Sequence, residues 1–182
     1  MLLLCGLGNK GAAYKYTRHN IGYLVLDRFA ARLGISLTKK ASKCIMGEGN
    51  GLVLAKPDTY MNLSGGPVMS LMKKNHILPE NLILVHDDLD MEFGRIRIRW
   101  NGSDGGHKGV RSVIDLLGSP LFHRVKIGIG RDPVLPPEEY VLTRFREEEL
   151  GPLSEALDTA TDALHTFVTD GPAKAMSMYN RI

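Results

Sequence analysis

No apolar run in this chain of 182 residues is long enough to cross a bilayer as a helix, so a membrane-spanning role is not expected. Cysteine is scarce: Cys5 and Cys44 are the only two. They make neither a disulfide framework nor a metal knuckle, and a reduced, cytoplasmic setting is the expectation. The opening run of Leu2, Leu3 and Leu4 is short and lacks the charged start and cleavage pattern of a secretory leader, so none is expected. Internal repeats and low-complexity segments are missing too, which excludes a solenoid. The formal charge is only +3, too small to identify a partner by itself.

What is present is an ordinary globular composition, 43% apolar and 24% charged. A chain of this length can bury one sizeable core, so a single domain over residues 1–182, most simply a monomer, is expected. The charge is unevenly spread. Between Lys10 and Lys43, eight basic residues face one acid, Asp27; between Arg95 and Arg131, eight more face Asp104 and Asp115; acids gather after Glu138. Two basic stretches fit a surface that meets a polyanion, and a mixed solvated surface is the plainer alternative.

Residues 2 to 7 form a short continuous apolar run closed by glycines, the pattern of a buried strand. A glycine loop with Gly6, Gly8 and Gly11 follows, then Thr17, Arg18, His19 and Asn20, then helical spacing through Leu33 with Gly34 as the stop. Residues 37 to 47 are irregular and weakly strand-like; residues 51 to 57 are a clearer strand ended by Pro57. Ser64 is placed to cap a helix running to about Asn75. Residues 82 to 85 predict another buried strand, running into His86-Asp-Asp-Leu-Asp90.

Strict alternation of Arg95, Arg97 and Arg99 with Ile96, Ile98 and Trp100 predicts a strand with one cationic face, antiparallel to its neighbours. A glycine-rich loop to Gly109, expected to be loose, precedes a helix from Val110 to Leu117 and a strand from Arg124. Leu150, Leu153, Leu157, Ala160, Leu164 and Phe167 form the stripe of a long amphipathic helix, and a short helix follows Gly171-Pro172. Alternating strands and helices predict an α/β fold: a twisted, mixed, mostly parallel sheet with helices on both faces.

Gly6-x-Gly8-x-x-Gly11 after a strand matches the dinucleotide fingerprint, and a nucleotide-dependent oxidoreductase is the first chemistry to weigh. The context opposes it. Tyr14 to Arg18 separate the glycines from the helix, and the acid expected about twenty residues on is missing. No cofactor is therefore implied. Among six histidines, His19, His86 and His107 fall at element ends beside polar residues, without the spacing of a metal site, and no metal is expected. His19 adjoins the glycine loop, and Asp87 or Asp88, ending another strand of the same sheet, can reach it. A carboxylate on one imidazole nitrogen fixes the tautomer and leaves the other as a base. No nucleophilic side chain accompanies them, so water is the economical nucleophile, with Asn9 and Asn62 as amide donors to a carbonyl or to that water. Each asparagine has a plainer reading as a turn former.

These stretches together resemble the bacterial-type peptidyl-tRNA hydrolase family. The likeness rests on Gly6-Leu-Gly-Asn9, Tyr14, Thr17-Arg-His-Asn-x-Gly22, Lys56-Pro-x-Thr-Tyr-Met-Asn-x-Ser-Gly65, His86-Asp-Asp-Leu-Asp90, Gly102-Ser-x-Gly-Gly-His-x-Gly109 and Phe122-x-Arg-x-Lys-Ile-Gly-Ile-Gly130. The resemblance implies hydrolysis of the ester between a peptide and the 3′ end of tRNA. It makes His19 the general base, Asp87 its orienting partner, and Asn9 and Asn62 positioning or oxyanion groups. Tyr14, Tyr60 and Met61 would line the substrate cleft, His107 would sit at its rim, and Arg99 and Lys126 would meet the tRNA phosphate end.

Two positions depart from the family pattern. Lys10 replaces a proline and is expected to loosen the loop; Lys108 replaces an asparagine tied to the peptide–tRNA junction, and a lysine cannot accept a hydrogen bond. A binding protein is the competing class, since relatives of this fold act in RNA splicing without turnover.

Overall fold

The computed structural model describes residues 1–181. Its framework is a seven-stranded sheet built from β1 (Leu2–Gly6), β2 (Lys39–Ala41), β3 (Cys44–Gly49), β4 (Leu52–Pro57), β5 (Leu82–Asp88), β6 (Ile96–Trp100) and β7 (His123–Gly128). The order across the sheet is β2-β3-β4-β1-β5-β7-β6. The four central strands run parallel, and the β2–β3 pair and β6 run antiparallel at the two edges. This is the mixed, mostly parallel α/β architecture expected. The apolar run at the start of the chain explains why β1 sits centrally: Leu3, Leu4 and Cys5 are all fully buried, which only a strand covered on both faces achieves.

Helices supply the cover. On one face α1 (Ile21–Leu33), α5 (Leu150–Asp170) and α6 (Pro172–Tyr179) pack Val25, Phe29, Leu157 and Leu164 against Leu4, Val85 and Ile127. On the other, α2 (Gly65–Lys74) and α3 (Lys108–Leu117) pack Val68, Leu71 and Val113 against Leu3 and Leu84. A four-residue helix, α4 (Pro137–Tyr140), lies before α5. None of the described helices is long and apolar enough to cross a membrane.

Several local expectations change. Residues expected to be irregular form the β2–β3 hairpin, with Cys44 and Met46 buried and the lysines of β2 exposed at the edge. Its turn uses Ser42 and Lys43 at φ 51° and 54°, left-handed conformations that carry no glycine signal. Ser64 is not a side-chain cap: it has helical φ and ψ, and its Oγ donates to Met61 O at 2.7 Å. α3 begins at Lys108, not Val110, because His107 caps it, with Nδ1 accepting from the N–H groups of Gly109 and Val110. Trp100 ends β6 at 39% exposure instead of joining Ile96 and Ile98 in the core, and its ring packs on His123. Asn180 pairs with both the N–H and the C=O of Ile98, occupying hydrogen-bonding groups of the edge strand β6.

One close approach sets the geometry of everything above the sheet. A Cβ on Gly22 would lie 2.3 Å from Val85 O and 2.7 Å from Leu7 O. The first turn of α1 therefore rests directly on β1 and β5, and the residues just before it are held over the carboxyl ends of the parallel strands. In open α/β sheets that is where ligands bind.

Candidate active site

The loop after β1 is tied down by amides. Asn9 N–H donates to Asn20 Oδ1 at 2.8 Å while Asn20 Nδ2 donates to Asn9 O at 2.9 Å. Asn9 Oδ1 in turn accepts from Met61 N–H at 2.7 Å, which leaves Asn9 Nδ2 as a donor without a partner among the described residues. Asn20, which sequence reasoning left without a role, is the hinge pin of the loop. The expected loosening at Lys10 is overturned: its N–H donates to Thr59 O at 2.9 Å, a bond proline cannot make, and its Nζ lies 5.2 Å from the centre of the Tyr60 ring.

His19 lies in a 3₁₀ turn, Arg18–Asn20, directly before α1. It is 9% exposed. Its backbone N–H donates to Val141 O at 2.8 Å, and Nδ1 lies 2.9 and 3.0 Å from the two oxygens of Asp87, at the end of β5. An ionised carboxylate only accepts, so Nδ1 carries the proton and Nε2 keeps its lone pair. Of the two aspartates the sequence offered, Asp87 is the one that meets His19. His107 is not at a rim. Its Nε2 donates to Asp87 Oδ1 at 2.8 Å and its side chain is nearly buried; the two backbone donors on Nδ1 fix its proton on Nε2. His86 lies inside β5, not in a loop, and its Nδ1 donates to Asp87 O at 2.8 Å.

Asp87 is thus a carboxylate between two imidazole donors. Burial alone would raise its pKa, but the charges and hydrogen bonds of His19 and His107 outweigh that and hold it well below the usual carboxylate range. His86 is driven the other way: burial, then the neighbouring His107, push it well below the ordinary histidine value, so it stays neutral.

These groups open on a cleft of about 940 Å³. Asn9, Tyr14, His19, Met61 and Asn62 line it, and Arg99, Arg124, Lys126 and Lys108 bring positive charge to it. Tyr60 does not line it. That ring lies behind Tyr14, edge-on at 6.4 Å between centroids, and is half exposed. Asn62 and Lys108 are exposed to the cleft and make no hydrogen bond or ion pair among the described residues, whereas Met61 is buried with its sulfur against Gly109.

Sequence reasoning missed three features. Arg124 is buried, and its guanidinium donates to the carbonyls of Gly102 and Ser103, so the glycine loop expected to be loose is anchored. Pro137, Glu138, Val141 and Leu142 also line the cleft, and a proline-rich turn gave no signal of that. Arg18 is 1% exposed, paired twice with Glu149 and stacked over Tyr140 and Phe145.

His19, Asp87 and His107 offer ligand atoms within 4.8 Å of one another, yet the donor set fits a cation poorly. With Nδ1 of His107 accepting two N–H bonds, a metal on Nε2 would require an imidazolate. The trio is built as a hydrogen-bond relay.

A carboxylate-oriented imidazole, facing a cationic cleft at the carboxyl ends of a parallel sheet, is the arrangement of an α/β-class enzyme equipped for base-assisted chemistry. The chain belongs to the peptidyl-tRNA hydrolase family, whose family model matches residues 3–182. Among curated relatives, a peptidyl-tRNA hydrolase of Thermodesulfovibrio yellowstonii is 42% identical over 100% of both chains. One of Citrifermentans bemidjiense is 43% identical over 98% of this chain and 97% of its own. The crystal structure of peptidyl-tRNA hydrolase from Acinetobacter baumannii superposes with a TM-score of 0.91 at 36% identity, over 99% of this chain and 94% of that one.

Proposed function

We propose that this cleft hydrolyses the ester joining a peptide to the 3′ end of tRNA, with water as nucleophile and His19 as base. The observation that carries the mechanism is the 2.9 Å contact between His19 Nδ1 and Asp87. With the proton held on Nδ1, Nε2 takes a proton from a water that attacks the ester carbonyl carbon. Asp87, already ionised, stabilises the imidazolium that forms. The carbonyl oxygen becomes an oxyanion, and Asn9 Nδ2 and the side-chain amide of Asn62 are the free amide donors of the cleft. As the tetrahedral species collapses, the bond to the ribose 3′ oxygen breaks and the imidazolium returns its proton to that leaving oxygen. The products are free tRNA and the peptide's carboxylic acid, which gives its proton to solvent at neutral pH.

The cationic wall takes the phosphates of the acceptor end, through Arg99, Lys126 and Lys108, without reading base sequence. Tyr14 and Met61 give the reacting ester an apolar flank. The chain acts as one domain and as a monomer, in the cytoplasm, with no cofactor. Family membership and relatives named for this activity favour the enzyme over a non-catalytic RNA-binding module.

The test is release of an N-blocked amino acid from its tRNA by the wild type and by His19→Ala. A fall in kcat of about 10² or more, with tRNA binding retained, is expected. Equal rates would remove His19 from the mechanism. A wild type that binds tRNA without turnover would establish the binding module instead.

A further inference from the structure

The segment His86-Asp-Asp-Leu-Asp90 holds three carboxylates, and the proposed chemistry uses one. Each of the other two sits on a cation of the cleft. Asp88 Oδ2 contacts Lys126 Nζ, with side chains 12% and 27% exposed; Asp90 Oδ1 accepts from Arg131 Nε and Nη2 at 2.9 and 2.8 Å. Asp104, which also lines the cleft, is paired with Arg111. Of the cleft cations, Arg99, Lys108 and Arg124 have no carboxylate partner among the described residues, and Arg124 is bonded to the carbonyls of Gly102 and Ser103. A polyanion approaching this wall therefore meets some free charges and others that are already neutralised.

The geometry points to Asp88 as an affinity-setting residue: its carboxylate occupies the Lys126 ammonium in the free enzyme, where a phosphate of the RNA acceptor end has to displace or share it. This inference rests on the proposed tRNA-directed function of the cleft. Asp88 is the fixed member of the pair. Its Oδ1 accepts from Asp90 N–H at 2.7 Å and its backbone O accepts from Ile129 N–H at 3.0 Å, so Oδ2 has little freedom. Lys126 stands on β7 in register with His86 and reaches Asp88 on a flexible four-carbon stem. Its ammonium has three donors, so it can turn toward a phosphate without leaving the wall.

The fixed carboxylate lowers the attraction of the cleft for RNA below what its cation count implies. Binding is accordingly weaker and less salt-dependent. It also eases departure of the deacylated product, which carries the same phosphates as the substrate.

The probe is deacylated tRNA, titrated over a range of salt into wild type, Asp88→Asn, Lys126→Met and the double variant. N-blocked aminoacyl-tRNA hydrolysis is followed alongside. Asn keeps the acceptor for Asp90 N–H and removes the charge. Asp88→Asn is expected to tighten binding about three- to tenfold and to steepen the slope of log Kd against log salt by up to about one. KM should fall in parallel. Lys126→Met should weaken binding more in the Asp88→Asn background than in the wild type, because only there is the ammonium free. Wild-type affinity and slope in Asp88→Asn, or an equal effect of Lys126→Met in both backgrounds, would overturn the inference. Asp88→Ser is measured in the same way should thermal melting show that Asp88→Asn is misfolded. A wild type that neither binds tRNA nor hydrolyses the ester would instead overturn the proposed function.

Discussion

Asp87 Oδ1 accepts from His107 Nε2 at 2.8 Å while the same carboxylate holds Nδ1 of His19. Since His107 is locked in one tautomer by the amides of α3, it serves as a permanent donor and cannot exchange roles with His19. The carboxylate is thereby oriented from one side and orients His19, the base of the proposed mechanism, on the other. The first turn of α3 and the end of β5 enter the chemistry through that one group.

Asp87→Asn tests the arrangement. An amide offers one oxygen to two imidazole donors and turns an N–H toward one of them, so His19 loses its fixed tautomer. A fall in kcat of about 10² to 10⁴ is expected, with KM little changed. Stability should respond as well. Because Asp87 is held below its unfolded value, its contribution is fully present above about pH 4 and is lost as pH falls through the folded value. Urea unfolding of both proteins from neutral to acid pH should show their difference narrowing below about pH 4.

Glu149→Gln tests the coupling between the turn that carries His19 and the wall of the cleft. Arg18 Nη2 lies 2.8 Å from Glu149 Oε2, Arg18 Nε donates to Thr143 Oγ1 at 3.0 Å, and the backbone N–H of Arg18 donates to Thr143 O. Removing the acid leaves a buried guanidinium without its counter-charge, a loss of about 1 to 3 kcal/mol. Burial would raise the Glu149 carboxyl, but bonds from Arg18 and from Arg146 N–H outweigh that and hold it below the ordinary value. Its contribution is therefore present above about pH 4.3 and fades as pH falls. Melting should show the variant less stable at neutral pH and nearer the wild type in acid.

How much of this was legible depends on where the controlling partner lies along the chain. The apolar run of β1, the glycine loop and the approach of Asp87 or Asp88 to His19 could be read because each depends on local pattern or on the common end of parallel strands; the choice of Asp87 came from the family resemblance. Arg18 and Glu149 stand 131 residues apart, and nothing in either segment announces the other. The bond of His107 to Asp87 depends on how α3 seats against β5, a tertiary fact without a local signature. Arg124 read as one more surface cation because burial of an arginine under carbonyl oxygens leaves no mark on spacing. The β2–β3 hairpin was hidden because Ser42 and Lys43 adopt the conformations that glycine usually announces.

Gly109→Ala probes the seat of α3. A Cβ there would lie 2.5 Å from Met61 Sδ and 3.1 Å from Leu7 Cδ1. Met61 is buried and its N–H is bonded to Asn9 Oδ1, so a shift that reaches the Met61 backbone is passed to Asn9. Overpacking of this kind destabilises by about 1 to 3 kcal/mol. If Asn9 works at the ester, kcat should fall further than Tm alone would explain. A fall in Tm with kcat intact would separate Asn9 from the chemistry.

Lys108 is the departure from the family pattern that the structure leaves most open to solution. It is the first residue of α3, exposed, and on the cleft wall. A cation at a helix N-terminus opposes the helix dipole by about 0.3 to 1 kcal/mol, so Lys108→Asn should raise Tm slightly. The same position suits a phosphate, which the ammonium would hold, since the Gly109 and Val110 amides are already taken by His107 Nδ1. In Lys108→Asn that contact is lost, and the slope of log Kd against log salt for tRNA should become shallower by about 0.7 to 0.9. At low salt KM should rise; at high salt, where screening has already removed most of the benefit, the two proteins should converge. A KM and a salt slope equal to those of the wild type would remove Lys108 from contact with the RNA and leave its ammonium a solvated charge at the mouth of the cleft.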